Sequence, residues 1–221
     1  MAHKVALIQY ASGPEHAELL DLTRRYHQSY CEDIEADYLV EHSDIADDRP
    51  KHWRKIKLIE DALDKGYEKI VWLDCDAIIV NRYVNLFELS NFGIAVCECY
   101  DSPSVVRHLN TGVIWAVRSP EVMNFVHEWD RTPRNSENGW QDQNAFIQLM
   151  AKRPHRDILS VLPNRFNCIE THMEARDPVI RHFAGDGDRL AKMAKLMRDL
   201  QSDGHEDARQ SKGSWLSFFG R

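Results

Sequence analysis

The sequence predicts an α/β domain with an open, mostly parallel central sheet and helices on both of its faces. Three observations carry that prediction. Apolar runs of strand length alternate with amphipathic segments of helix length in the order β-α-β-α-β up to residue 73. Turn and capping residues bound these segments. A chain of 221 residues, 43% of them hydrophobic, can bury one large core, and no linker divides it.

The first run, "KVALIQYA", reads as a buried strand, and "SGPEHAELLDLTRRYHQSY" follows as a helix in which Leu19, Leu22, Tyr26 and Tyr30 recur at helical spacing. Ser12 and Glu15 match the S-x-x-E spacing of a capping box, with Pro14 in the first turn. "ADYLV" is a second strand, and the acidic "EHSDIADDRP" is a loop by composition. A second helix carries Trp53, Ile56, Ile59 and Leu63 on one face and is expected to stop near Gly66. "KIVWL" is the third strand. Further strands are expected at "FGIAVCEC", "TGVIWAV", "ILSVL" and "VIRHF", with helices near 120–129, started by Ser119 and Pro120, and near 142–152. A last helix repeats Leu190, Met193, Met197 and Leu200. The folded domain is placed at 1–200. Residues 201–221 are expected to form a polar, mobile tail with an aromatic end, "SWLSFFGR".

Composition excludes several classes of function. A net charge of −7 without a basic cluster argues against nucleic acid as a partner. No segment approaches the ~18 apolar residues of a membrane span, and the apolar run at the amino terminus is too short for a signal peptide, so a cytoplasmic location is expected. Cys31, Cys75, Cys97, Cys99 and Cys168 are an odd number without a zinc-ligand spacing, which suits buried thiols in a reducing compartment.

The stretch that demands an explanation is "KIVWLDCDAIIVNR". Carboxylates are poor strand residues and costly to bury unpaired, yet Asp74 and Asp76 stand at the carboxyl end of the third strand. Ligands of open α/β sheets bind at that edge. A turn there would let both carboxylates converge on one point, as hard divalent cations such as Mg2+ and Mn2+ require, with Cys75 between them facing the core. The alternative is a turn cap and an ion pair.

Six segments in order, "HWRKIKLIEDAL", "KIVWLDCDAIIVN", "LNTGVIWAV", "WQDQNAF", "LPNRFN" and "RHFAG", together resemble the nucleotide-sugar glycosyltransferases of the GT-A fold. The likeness is greatest to the metal-dependent retaining groups that include glycogenin-like enzymes and α-galactosyl-, α-xylosyl- and α-mannosyltransferases, and it spans roughly residues 4 to 190. It implies a single GT-A, Rossmann-like domain. It assigns Asp74, Asp76 and His182 to a metal, Mn2+ or Mg2+, on the diphosphate of a nucleotide-sugar donor, with Gly185 beside a phosphate. Lys55 is the basic residue reaching the donor, Asn110 and Gly112 line its sugar, and Asp142 and Gln143 stand beside the anomeric carbon. Tyr10 is placed to meet the nucleobase, with core packing as an equal alternative, and Asn167 is structural or faces the acceptor. Where the family often has a lysine three residues after the glycine of H-x-x-G, this chain has Asp188 followed by Arg189.

The implied reaction moves a sugar, most commonly from a UDP-sugar, to a glycan, lipid-linked or protein hydroxyl. An inverting course would need Asp142 as base. A retaining course would leave the proton to the departing phosphate, with Asp142 or Gln143 holding the sugar. Three other readings compete. A phosphatase of the haloacid dehalogenase type would have its D-x-D on the first strand, and a nucleotidyltransferase would want a glycine-rich loop where "YASGPEH" has one glycine. A non-catalytic sugar-nucleotide or glycan-binding protein of the same fold is the third. The tail raises peripheral membrane contact or a homodimer as further partners.

Overall fold

The computed structural model of the chain describes residues 4–42, 51–100, 107–133, 141–169, 175–185 and 187–214. The first half follows the expected order: β1 (Val5–Ala11), α1 (Pro14–Asp33), β2 (Asp37–His42), a 3-10 turn (Lys51–Trp53) leading into α2 (Arg54–Asp64), and β3 (Lys69–Leu73). After β3 come β4 (Ala77–Ile79), β5 (Ile94–Tyr100), β6 (Arg107–Val117), α3 (Pro120–Arg131), α4 (Gln141–Met150), β7 (Leu159–Leu162), β8 (Cys168–Ile169), β9 (Ile180–His182) and α5 (Arg189–Ser214).

The central sheet has the order β2-β1-β3-β6-β5-β7. Only β6 runs against the others, since β3-β6 and β5-β6 are antiparallel and the remaining pairings parallel. Alternation along each strand divides the core between the two faces. Ala6, Ile8, Ile70, Trp72, Ile114 and Ala116 point to the side covered by α2, α3 and α4, where Ile56, Ile59, Phe125, Trp129 and Phe146 meet them. Leu7, Val71, Leu73, Val113 and Trp115 point to the other side, against Tyr30, Phe87 and Ile180. Each Val, Leu, Ile or Phe side chain among them contributes about 1.5–3 kcal/mol by leaving water. A third cluster joins α1 to α5 through Leu19, Leu20, Met193 and Met197, and it includes Cys75.

Several local expectations are corrected. The capping box at Ser12 does not form: Gly13, with φ 80° and ψ 162°, is the N-cap, no side chain caps the helix, and Pro14 opens it. Ser12 therefore sits one residue too early, and Glu15 turns instead to Arg189. The buried stripe of α1 is also offset from the expected one and contains Thr23 and His27 beside Leu19, Leu20, Tyr30 and Cys31. α5 continues as helix to Ser214, past the last apolar repeat at Leu200. The aromatic end, 215–221, and most of the acidic loop, 43–50, lie outside the described residues. All five cysteines are free and buried. Among the described residues no helix is long and apolar enough to cross a membrane.

β4 and β8 were not anticipated, and they decide how the site is built. β4 pairs antiparallel with β9, which sets Ala77 opposite His182, and β9 pairs parallel with β8. This small second sheet carries His182 to the residue next to Asp76.

Candidate active site

Tyr10, Lys55, Asp74, Asp76, Asn110, Gly112, Asp142, Gln143, His182 and Gly185 all line one cavity of about 390 Å3 at the carboxyl edge of the sheet. That size suits a small-molecule ligand. Ser12, His16, Lys51, His52, Trp72, Thr111 and Arg189 line it as well.

The backbone of the D-x-D turn is fixed on every side. Asp74 N–H donates to Gly112 O at 2.8 Å, Ala77 N–H to Asp74 O at 3.0 Å, and Phe183 N–H to Asp76 O at 2.9 Å. Below it lies a buried polar network that sequence reasoning missed. Gln9 Nε2 donates to Asp74 O at 3.3 Å, and Gln9 Oε1 accepts from His27 Nδ1 at 2.8 Å and from Tyr38 OH at 2.6 Å. Burial, with Arg82 nearby, pushes His27 down to about 3, so the network stays neutral. Its signal was a glutamine inside an apolar strand and a histidine on the inner face of a helix.

One backbone group orients His182. Gly112 N–H donates to Asn110 Oδ1 at 2.9 Å, so that oxygen is an acceptor and the 2.7 Å contact from Asn167 must come from its Nδ2. Asn167 Oδ1 is then left to face His182 Nδ1 at 2.8 Å, which makes Nδ1 the protonated nitrogen. Asn167 is thus structural, and Nε2 is the end turned toward Asp76 Oδ1, 3.2 Å away.

Atoms of Asp74, Asp76 and His182 lie within 4.8 Å of one another. A lone pair on Nε2 opposite a carboxylate oxygen is repulsive unless a proton or a metal cation lies between them. The residues therefore fit a divalent ion chemically, two carboxylates and an imidazole being a suitable donor set for Mn2+. Burial opposes ionisation of both aspartates. At Asp76 the neighbouring His182 and Arg189 win and hold the carboxyl down at about 2. At Asp74 burial prevails over Lys55, Asp76 adds to it, and the carboxyl is raised; the side chain is still 28% exposed, the most open of the three. Burial also disfavours charged His182, but Asp76 outweighs it and the imidazole is raised. A raised folded value means that the His182–Asp76 pair stabilises metal-free protein below about pH 6.5. That contribution is lost as pH rises through the folded value. The expected result is a metal affinity that increases with pH over this range, measured by titration at fixed ionic strength.

Lys55 ties the rest of the site together. Its Nζ lies 3.0 Å from Asp142 Oδ2 and 3.5 Å from Asp74 Oδ1, and it donates to Thr111 O at 3.2 Å. Burial opposes its charge, but Asp142 and Asp74 overcome this and raise its pKa. His52 Nε2 reaches Asp142 Oδ1 at 4.0 Å. Gln143 Oε1 accepts from Thr111 N–H at 3.1 Å, which leaves its amide nitrogen for the cavity. Arg189, the residue after Asp188, reaches Asp76 Oδ2 at 3.3 Å through Nη1 and pairs with Glu15 through Nη2.

Gly112 is required by space. A Cβ there would fall 2.1 Å from His182 Cε1 and 2.8 Å from Nδ1. Because β6 is held by β3, the ring and not the strand would have to move. Gly112→Ala is expected to cost about 1–3 kcal/mol in stability and to weaken metal binding at least about tenfold, measured by melting and by metal titration.

The family description that matches, residues 18–196, is that of a nucleotide-diphospho-sugar transferase. No curated protein sequence matches the chain. Among solved structures it is similar to a glycosyltransferase involved in glycosylation of the major capsid of PBCV-1, at TM-score 0.67 and 16% identity over 89% of this chain and 99% of that one. It is similar to the glycosyltransferase GlyE of Streptococcus pneumoniae, at TM-score 0.58 and 13% identity over 92% of this chain and 64% of that one. It is also similar to the galactosyltransferase LgtC solved with donor and acceptor sugar analogs, at TM-score 0.51 and 16% identity over 90% and 95%. At these identities the likeness establishes the GT-A fold.

Proposed function

Since the chain belongs to the nucleotide-diphospho-sugar transferase family, we propose that it moves a sugar from a UDP-sugar to a hydroxyl acceptor with retention at the anomeric carbon, using a divalent cation, Mn2+ or Mg2+. The observation that carries this reading is the convergence of Asp74, Asp76 and His182 in a cavity that also holds Lys55, Asp142 and Gln143. A bound cation supplies positive charge to the leaving diphosphate.

The chain's own residues supply the rest. Arg189, Lys51 and His16 place further cationic or polar groups along the cavity, in a protein whose net charge is negative, so attraction of an anionic donor is local. Asp142 is compensated by Lys55 at 3.0 Å with His52 at 4.0 Å. Its oxygens are thus turned to the protein's own Lys55 and His52, an arrangement that suits a retaining course: the acceptor oxygen bonds to the anomeric carbon, the bond to diphosphate breaks, and the acceptor proton passes to the leaving phosphate oxygen. Asp142 and the amide nitrogen of Gln143 hold the sugar while its charge develops.

A thermal-shift screen of nucleotide sugars with Mn2+ tests the reading. At a hundredfold excess over Kd a true donor stabilises by about 2.7 kcal/mol, or roughly 5–10 °C in a chain of this length. The shift should vanish with chelator. A screen in which no nucleotide sugar stabilises the protein in the presence of Mn2+ would overturn it.

A further inference from the structure

Each of the candidate metal-binding side chains has a second polar atom, and each of those atoms is already engaged. His182 Nδ1 is held by Asn167. Asp74 Oδ1 accepts from the indole Nε1–H of Trp72 at 2.7 Å and faces Lys55 Nζ at 3.5 Å. Asp76 Oδ2 accepts from Arg189 at 3.3 Å, while Oδ1 faces His182. One oxygen of each aspartate is thereby left for the cavity. Resting on the metal reading above, we propose that Trp72 and Arg189 are positioning residues that set metal specificity: they confine both carboxylates to one-oxygen coordination and so make the site reject Ca2+ in favour of Mn2+.

Ca2+ collects six to eight oxygens and commonly takes both oxygens of a carboxylate, whereas smaller divalent cations accept single oxygens with near-octahedral geometry, and an imidazole ligand suits transition metals better than Ca2+. To give Ca2+ a second oxygen, Asp74 would have to leave Trp72. That indole is buried, stands two residues before Asp74 near the end of β3, and can only donate. Asp76 would have to leave Arg189, whose guanidinium is anchored from its far side by Glu15. The selectivity therefore resides in two groups that never touch the ion.

Direct binding to the purified full chain tests this. Free Mn2+ is followed by electron paramagnetic resonance during titration, and Ca2+ is then added as competitor. Wild type should bind Mn2+ and resist displacement. Trp72→Phe, which keeps the ring and removes the donor, and Arg189→Met, which keeps the stem and removes the charge, should each lower the Mn2+/Ca2+ affinity ratio about tenfold. Arg189→Lys, with a cation still in reach of Oδ2, should restore most of it. Variants that bind Mn2+ with the wild-type ratio would overturn the proposal while leaving the metal site intact; wild type that binds no Mn2+ would overturn the site itself. If Trp72→Phe does not fold, Arg189→Met and its lysine rescue carry the same decision alone.

Discussion

Asp76→Asn is expected to lower metal-dependent sugar transfer by roughly 10^3-fold, the loss that follows when the charge on a leaving diphosphate goes unsupported. The protein should remain folded. Asp76 shares its two oxygens between His182 and Arg189, and the asparagine keeps the shape and one acceptor. His182 can also discharge by losing its proton, so the stability cost is about 1–3 kcal/mol against a domain total of about 5–15 kcal/mol. Activity assays on the variant, paired with a melting curve, separate the two effects. Asp74→Ala should behave alike in activity, since its exposed oxygen is the other carboxylate contribution.

Lys55→Met should have the opposite balance, with a large effect on stability as well as on transfer. The ammonium stands between Asp142 and Asp74 and is almost wholly buried. Without it two carboxylates share a low-dielectric site with no cation between them, and such a broken buried pair costs about 3–5 kcal/mol. Melting temperature should fall by about 10 °C. The uncompensated carboxylates would have folded pKa values raised above their unfolded ones, so the deficit should shrink as pH falls and they protonate. A Lys55→Met protein that melts like wild type at neutral pH would show that solvent, and not Lys55, balances these charges.

Much of this arrangement could be read from residues alone. β3 falls on "KIVWL" at both ends because a continuous β-branched and aromatic run is closed by Gly66 before it and by aspartates after it. The Ser119–Pro120 start of α3 holds, with Ser119 Oγ accepting from Val122 N–H. The ten candidate residues share one cavity, and strand order places the neighbouring ends of β1 and β3, with Tyr10 and Asp74, beside it. What was not legible depends on long-range pairing. β4 and β8, of three and two residues, are too short to show a period of two, yet β4 is what brings His182 to Asp76. Asn167 reads as ambiguous until its bond to Asn110 is seen. Trp72 stands in "KIVWL" as one more strand-forming residue, and only its bond to Asp74 Oδ1 marks it as part of the site.

The most direct test of the account is release of nucleoside diphosphate from a UDP-sugar by the purified chain with Mn2+, followed with and without chelator. Release should require the metal and be lost in Asp76→Asn. Release that continues undiminished in chelator, or in Asp76→Asn, would contradict it.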